Sequence, residues 1–413
     1  MKSTHSRRAP FAVSVRGIAV TLATALLISS ATGAAEAAKA KKAPATKAKR
    51  PATTVPATAA PPSTTATPVT TTAPAAGVTA DGISAARCQA NKAAGKITYL
   101  SGFDYAASAS IVEMIVADAK GYFAKMCLDV DVKASFSTAN YALVADNKAQ
   151  FASAGSYVEL LRNTPKERPL VAVYNLGKTA IETLMVRDDG KITSILDLRN
   201  KTIGIKGDLP PSIQVMLAKN GLKRGVDYKE QLVDGFNPVA HFQLPIDALP
   251  GFKSNEPGQL ERSGVNIRQF DPGRYNIPGS FGIVYTNAKF LKDNPTAAED
   301  FVRAALRGYA DAAANPDDAT ALAVKRINDS GNRNFLSPVG ELFRWRTEAK
   351  IVADNTPAGQ PVGLLVAKLL QAQVDDYAEA GVLATKPSIV GSFDDSIVKA
   401  VTGPDNKVIW PKG

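Results

Sequence analysis

Histidine is almost missing from this chain: His5 and His241 are the only two in 413 residues. No multi-histidine metal site can be built from them, and a Ser/His/Asp arrangement would have to rest on His241 alone. That residue lies in Asn237-Pro238-Val239-Ala240-His241-Phe242, beside a helix start, and reads as structural. Cysteine is equally scarce, with Cys88 and Cys127 and no C-x-x-C. There is no G-x-S-x-G, no phosphate-cradling G-x-x-x-x-G-K and no G-x-G-x-x-G. No catalytic set, no metal site and no cofactor are therefore expected. The longest amino-terminal apolar run, Ile18 to Ser29, falls short of the roughly 20 residues that span a bilayer.

That run sits in an export signal. Lys2, Arg7, Arg8 and Arg16 precede it, and Ala35-Glu36-Ala37 closes it as an A-x-A cleavage pattern, so residues 1–37 read as a signal peptide. No cysteine stands at the cleavage position, which argues against a lipid anchor. The chain is expected to be exported and to work outside the cytoplasm. Residues 38–81 begin as a Lys/Ala run, and positions 51–76 hold only Pro, Ala, Thr, Ser and Val. Such a linker builds no core and stays extended at about 3 Å per residue.

The first 80 residues hold ten lysines and arginines against the single acid Glu36, which leaves +2 of the formal +11 for the remainder. The folded part is thus nearly neutral, and the chain's basicity gives no ground for nucleic-acid binding. In an oxidising compartment the even pair Cys88 and Cys127 is expected to form a disulfide. Closing a loop of this length is worth about 4 kcal/mol in the chain-entropy account.

From Lys96 the pattern alternates. Ile97 to Phe103 reads as a strand, and Ile111, Met114, Ile115 and Ala119 mark a buried helix face. Strands are expected over 128–134, 149–154, 170–174, 181–186, 202–206, 228–233, 248–252 and 281–286. Helices are expected over 138–146, 158–163, 211–220 and 239–244, then 297–314, 316–329, 337–353 and 362–380. This order implies parallel α/β sheets followed by a helical C-terminal region.

Several segments together carry a resemblance. They are Ala117-Asp118-Ala119-Lys120-Gly121-Tyr122-Phe123, Leu196-Asp197-Leu198-Arg199-Asn200-Lys201-Thr202-Ile203-Gly204, Ser254-Asn255-Glu256-Pro257, and Asn294-Pro295-Thr296-Ala297-Ala298-Glu299-Asp300-Phe301-Val302-Arg303-Ala304. In this order, over roughly 96–390, the chain resembles the extracytoplasmic solute-binding proteins of ABC importers, in the branch of nitrate, sulfonate and thiamine-pyrimidine-precursor binders. The resemblance implies a type II periplasmic-binding-protein-like fold, with 96–185 and 281–413 as one lobe and 186–280 as the other. Crossings are expected near Val186–Asp189 and Gly279–Ile283, flanked by Gly190, Gly279 and Gly282. It further implies a monomer that passes a small molecule to a permease and ATPase complex. The alternatives are an enzyme like the fungal pyrimidine-precursor synthase, whose cysteine-rich motif has no counterpart here, or a cell-wall interaction module.

Loops between strands and helices line pockets in such folds. On that rule the candidate ligand contacts are Asp104 and Tyr105, Ser156 and Tyr157, Gly207 and Asp208, and Asn255 and Glu256, with Lys178 and Thr179 as weaker choices. Asp104, Asp208 and Glu256 together are expected to repel a simple oxyanion. The resemblance implies a neutral or amine-bearing heteroaromatic ligand, stacked by Tyr105 or Tyr157 and held by Glu256. The competing role for Glu256 is a helix cap before Pro257.

Overall fold

The computed structural model describes residues 77–79, 82–331 and 337–411. The expected signal segment lies outside these residues, and so does the expected linker except for 77–79. In chain order the elements begin with β1 (Val78–Thr79), β2 (Gly82–Ile83), α1 (Ala85–Ala93), β3 (Lys96–Leu100), α2 (Val112–Ala119), α3 (Tyr122–Lys125), β4 (Asp129–Lys133), α4 (Ser137–Ala145), β5 (Phe151–Ala154), α5 (Tyr157–Asn163) and β6 (Leu170–Gly177). Next come β7 (Glu182–Arg187), β8 (Thr202–Ile205), α6 (Pro211–Lys219), β9 (Lys229–Leu232), α7 (Pro238–His241), β10 (Ala248–Phe252), α8 (Glu256–Arg262) and β11 (Ile267–Phe270). The chain continues through β12 (Phe281–Asn287), α9 (Ala288–Asp293), α10 (Pro295–Ala314), α11 (Pro316–Ser330), α12 (Pro338–Asn355), α13 (Ala367–Glu379) and α14 (Ser396–Val401).

Ten strands form two five-stranded sheets, ordered β4-β3-β5-β12-β6 and β11-β7-β10-β8-β9. Within the first, β3 is parallel to β4 and β5, and β12 runs against both β5 and β6. Within the second, β8 is parallel to β9 and β10, and β7 runs against β10 and β11. The α/β class expected from the alternation is what forms, but each sheet is mixed and not wholly parallel, because β7 and β12 run against their neighbours. β3 shows why the class forms: Ile97 and Tyr99 are fully buried under α2 and α10, and its other face meets a second apolar layer.

The strand register brings the two sheets together by their carboxyl edges. Ile283 pairs with Ala154 and Phe281 with Gly177, so β12 starts and β6 ends at the carboxyl edge of β5. Glu182, the first residue of β7, pairs with Phe252, the last of β10. Only four residues, 178–181, separate β6 from β7 at these edges, a reach of about 17 Å at full extension. The return passage, 271–280, packs on the first: a Cβ placed on Gly279 would meet the Ala180 nitrogen at 2.3 Å. Glycine there is required by close approach.

The first crossing therefore lies at 178–181 and not near Val186–Asp189. Val186 sits inside the second sheet, paired with Ala248 and Arg268. A buried apolar run such as 181–186 reads the same whichever sheet takes it, which is why sequence alone attached it to the first. Gly190, with φ of +79°, serves a turn remote from both passages.

The C-terminal helices do more than cover the first sheet. The Phe343 ring of α12 lies 2.6 Å from where Gly258 of α8 would carry a Cβ, and Asp376 of α13 pairs with Lys219 of α6 at 2.6 Å. At the amino end, Cys88 of α1 is disulfide-bonded to Cys127, just before β4.

Candidate functional site

The facing carboxyl edges carry the loops from which ligand contacts were expected, and the structure uses several of those side chains for other work. Tyr157 is 0% exposed, its hydroxyl bonded to Ser392 and its N–H donating to Ser280 Oγ at 2.9 Å. It is a core residue and offers no face for stacking. Tyr105 donates its hydroxyl to the Val132 carbonyl at 2.9 Å, and Arg326 covers its ring at 5.6 Å. Its hydroxyl is thus engaged toward β4 and its ring toward α11, while Tyr157 alone is wholly enclosed. Ser156 caps α5 by accepting the Glu159 N–H at 3.2 Å. Asp104 accepts the N–H of Tyr105 at 2.7 Å, a local turn contact.

On the second sheet, Gly207 takes φ of +87°, where a side chain would be strained, and Asp208 accepts the Leu209 N–H at 2.8 Å while pairing with Arg224. Asn255 accepts from Gln259 at 2.9 Å and from Arg344 at 3.1 Å. Glu256 is 3% exposed: Lys206 Nζ reaches one oxygen at 2.9 Å, and the Phe252 N–H donates to the other at 2.8 Å. Two of the three carboxylates invoked against anions, Asp208 and Glu256, thus have cationic partners. That repulsion argument does not survive. His241 is buried, its Nε2 within 2.8 Å of the Asp234 carbonyl, in keeping with a structural role.

What the edges do present is phenylalanine. Phe103 follows β3, Phe136 follows β4, and their rings meet edge to face at 5.6 Å between centroids. Phe136 is 55% exposed, and Phe252, at the end of β10, is 48% exposed. Phe236, beyond β9, lies 5.7 Å from the Lys206 ammonium. Large apolar rings left on the rim of two facing sheets are suited to the faces of a flat ligand. The local signal was an aromatic at a strand's last residue or three to four residues beyond it, a weaker cue than a tyrosine in a loop.

A buried carboxylate frame holds these loops. Glu341 and Glu348 of α12 accept the N–H groups of Ala107 at 2.7 Å and Ala109 at 2.6 Å, in the loop after β3. Glu348 also accepts the hydroxyl of Ser254 at 2.7 Å, in the loop after β10. One helix thereby ties together loops from both sheets. Glu113, at the start of α2, accepts from Ser110 N–H and Tyr174 hydroxyl, each at 2.9 Å. Burial pushes both Glu113 and Glu348 up to about 7. Burial also raises Glu182, which accepts the Ser212 hydroxyl at 3.0 Å, and lowers Lys178, in the first passage, to about 8.

Comparison with known proteins agrees with this architecture. RibY of Chloroflexus aurantiacus, named a riboflavin-binding protein, is 29% identical over 52% of this chain and 62% of its own length, so the match spans less than two thirds of that relative. A formylaminopyrimidine-binding protein of Halalkalibacterium halodurans is 26% identical over 60% of this chain and 75% of its own. The alkanesulfonate-binding protein SsuA of Xanthomonas axonopodis pv. citri, solved bound to MOPS, shares the fold with a TM-score of 0.52 at 14% identity, covering 72% of this chain and 98% of that one. Residues 108–319, about half of the sequence, match the family described as NMT1/THI5 like. With that match and two sheets facing each other by their carboxyl edges, the chain belongs to the NMT1/THI5-like family.

Proposed function

We propose that this chain is the extracytoplasmic substrate-binding component of an ABC importer. It captures a small heteroaromatic molecule between two lobes, hands it to a permease and ATPase complex, and turns nothing over. One lobe is built on the first sheet and the other on the second, with 178–181 and 271–280 as the hinges between them. The observation that carries this reading is the placement of Phe103 and Phe136 on one carboxyl edge and Phe252 on the other, across two short passages. Flat rings stack on such residues for about 1–3 kcal/mol each, and a few residues within each passage can absorb the dihedral change of closure. The names of the two relatives, one a riboflavin binder and the other a pyrimidine binder, support a heteroaromatic ligand. Export is supported by the amino-terminal sequence pattern, and among the described residues no helix is long and apolar enough to cross a membrane.

A thermal-shift screen with flavins, formylaminopyrimidine and other pyrimidines, followed by calorimetry, tests the reading. One compound is expected to bind one to one, and Phe136→Ala is expected to weaken it about tenfold, near the lower end of the stacking range. No stabilisation by any of these compounds, or turnover of the bound one, would overturn it.

A further inference from the structure

Four lysine and arginine side chains are buried among the described residues: Arg87, Lys178, Arg303 and Arg344. The three arginines each pair with a carboxylate. Lys178, 9% exposed, has no carboxylate partner among the described residues; its Nζ reaches only the Asn175 carbonyl, at 3.3 Å. A second anomaly stands three residues earlier. Of the buried asparagines, Asn91, Asn140 and Asn287 all hydrogen-bond through their side chains. Asn175 is 2% exposed, yet its carboxamide makes no hydrogen bond to the described residues and its Oδ1 is shielded from solvent. Both residues lie where β6 ends and the first passage begins, at the carboxyl edge facing the second sheet.

Burying an ammonium without a counter-charge and an amide without a partner costs stability twice over. Burial lowers the lysine only to about 8, so its charged form still dominates at neutral pH. A protein tolerates such a pair where a group absent from its own chain completes it. We propose that Lys178 and Asn175 form an anion-binding subsite between the two sheets, and that the ligand carries a carboxylate, sulfonate or phosphate group that they hold. Lys178 supplies the charge and a donor. The Asn175 carboxamide supplies a second donor through Nδ2, and its orphaned Oδ1 accepts an N–H or O–H from the rest of the same ligand. This rests on reading the space between the sheets as the ligand site, and it adds an acidic group to the flat ring proposed there.

Inorganic sulfate and phosphate are the probes, because they carry the acidic group without the ring. Melting temperatures are measured for the full chain, Lys178→Met, Lys178→Arg and Asn175→Leu, titrating sulfate or phosphate against chloride at matched ionic strength. Both anions also stabilise proteins by exclusion from the surface, so the readout is the difference between native and variant chains. The native chain and Lys178→Arg are expected to show a saturable upward shift. In Lys178→Met the apparent Kd is expected to rise about tenfold or more, the loss of one charge-assisted hydrogen bond. In chloride alone Lys178→Met is expected to melt higher than the native chain, since it removes an uncompensated buried charge, whereas a merely structural lysine would give a lower melting temperature. An unsaturable response in the native chain, or one retained unchanged in Lys178→Met, overturns the subsite. If flavins or pyrimidines bind and the anions do not, the subsite falls and the proposed function stands. If the anions bind at Lys178 and no ring compound does, the reverse holds.

Discussion

Where α1 lies on α10, four buried charges meet two against two. Arg87 reaches Glu299 at 2.8 Å and Asp300 at 2.7 Å, and Arg303 reaches Asp300 at 2.9 Å, with Asn91 adding a bond to Asp300 at 2.7 Å. Where α12 lies on the loop after β3, three buried carboxylates, Glu113, Glu341 and Glu348, share the single guanidinium of Arg344, which pairs with Glu341. The first cluster is charge-balanced. The second carries carboxylates in excess, and the two without a cation are those pushed up to about 7. A balanced cluster leaves no buried charge without a partner and serves as a fixed joint. An unbalanced one in the same protein holds Glu113 and Glu348 near the point of titration, and it does so at the helix that ties the two sheets' loops together.

The largest effect should come from unbalancing the first cluster. Arg87→Met leaves Glu299 without its closest cation and Asp300 with only Arg303, and removing one partner of a buried pair costs about 3–5 kcal/mol. Urea denaturation should show a loss of that size. A loss below about 1 kcal/mol would mean that α1 is held by its disulfide and apolar packing, and the contrast between the clusters would lose its energetic meaning.

The second cluster should show itself through pH. An acid whose folded-state pKa lies above its unfolded value contributes stability that is whole below the unfolded pKa and is lost as pH rises through the folded one. For Glu113 and Glu348 the window runs from the ordinary 4.5 to about 7. Raising the pH from 5 to 8 should therefore remove up to about 3 kcal/mol per group, 1.36 kcal/mol for each unit of difference. Glu348→Gln should flatten the curve across that window, because its amide cannot ionise. A curve equally steep in this variant would remove Glu348 from the account.

These clusters also mark how far the sequence could be read. The alternation of strands and helices, and with it the α/β class, follows from apolar periodicity, which burial enforces residue by residue. Lys253, Ser254 and Asn255 were legible as a loop at a strand's carboxyl end for the same reason, and α8 begins directly after them at Glu256. The frame around that loop was not. Glu341 and Glu348 stand on a helix rich in charge, where they read as solvated, and the amides they accept belong to a loop at the other end of the domain. The rule that loops after strands line a pocket placed the backbone of Tyr157 correctly at an edge. It says nothing about rotamer, and the ring turned into the core because the helix it begins packs there.

Glu256 lies between the two extremes, and the smallest effect is expected from it. It is buried like Glu348, yet it has a cation, Lys206, whose side chain is 27% exposed and so partly screened by water. Its other oxygen holds the Phe252 N–H, and its place at the first position of α8 sets a negative charge at a helix amino terminus. Glu256→Gln keeps an oxygen for the Phe252 amide and loses the charge toward Lys206 and the helix. The cost should be about 1 kcal/mol, the scale of one hydrogen bond to a charged but partly hydrated partner. Because both carboxylate oxygens are already engaged, affinity for the ligand found by the screen should stay within about twofold. The charge-assisted contact expected from the sequence would instead weaken binding by roughly 1.5–3 kcal/mol and leave the unliganded melting temperature unchanged. Calorimetry and thermal denaturation on this one variant separate the two, and the second outcome would mean that ligand entry displaces Lys206 from Glu256.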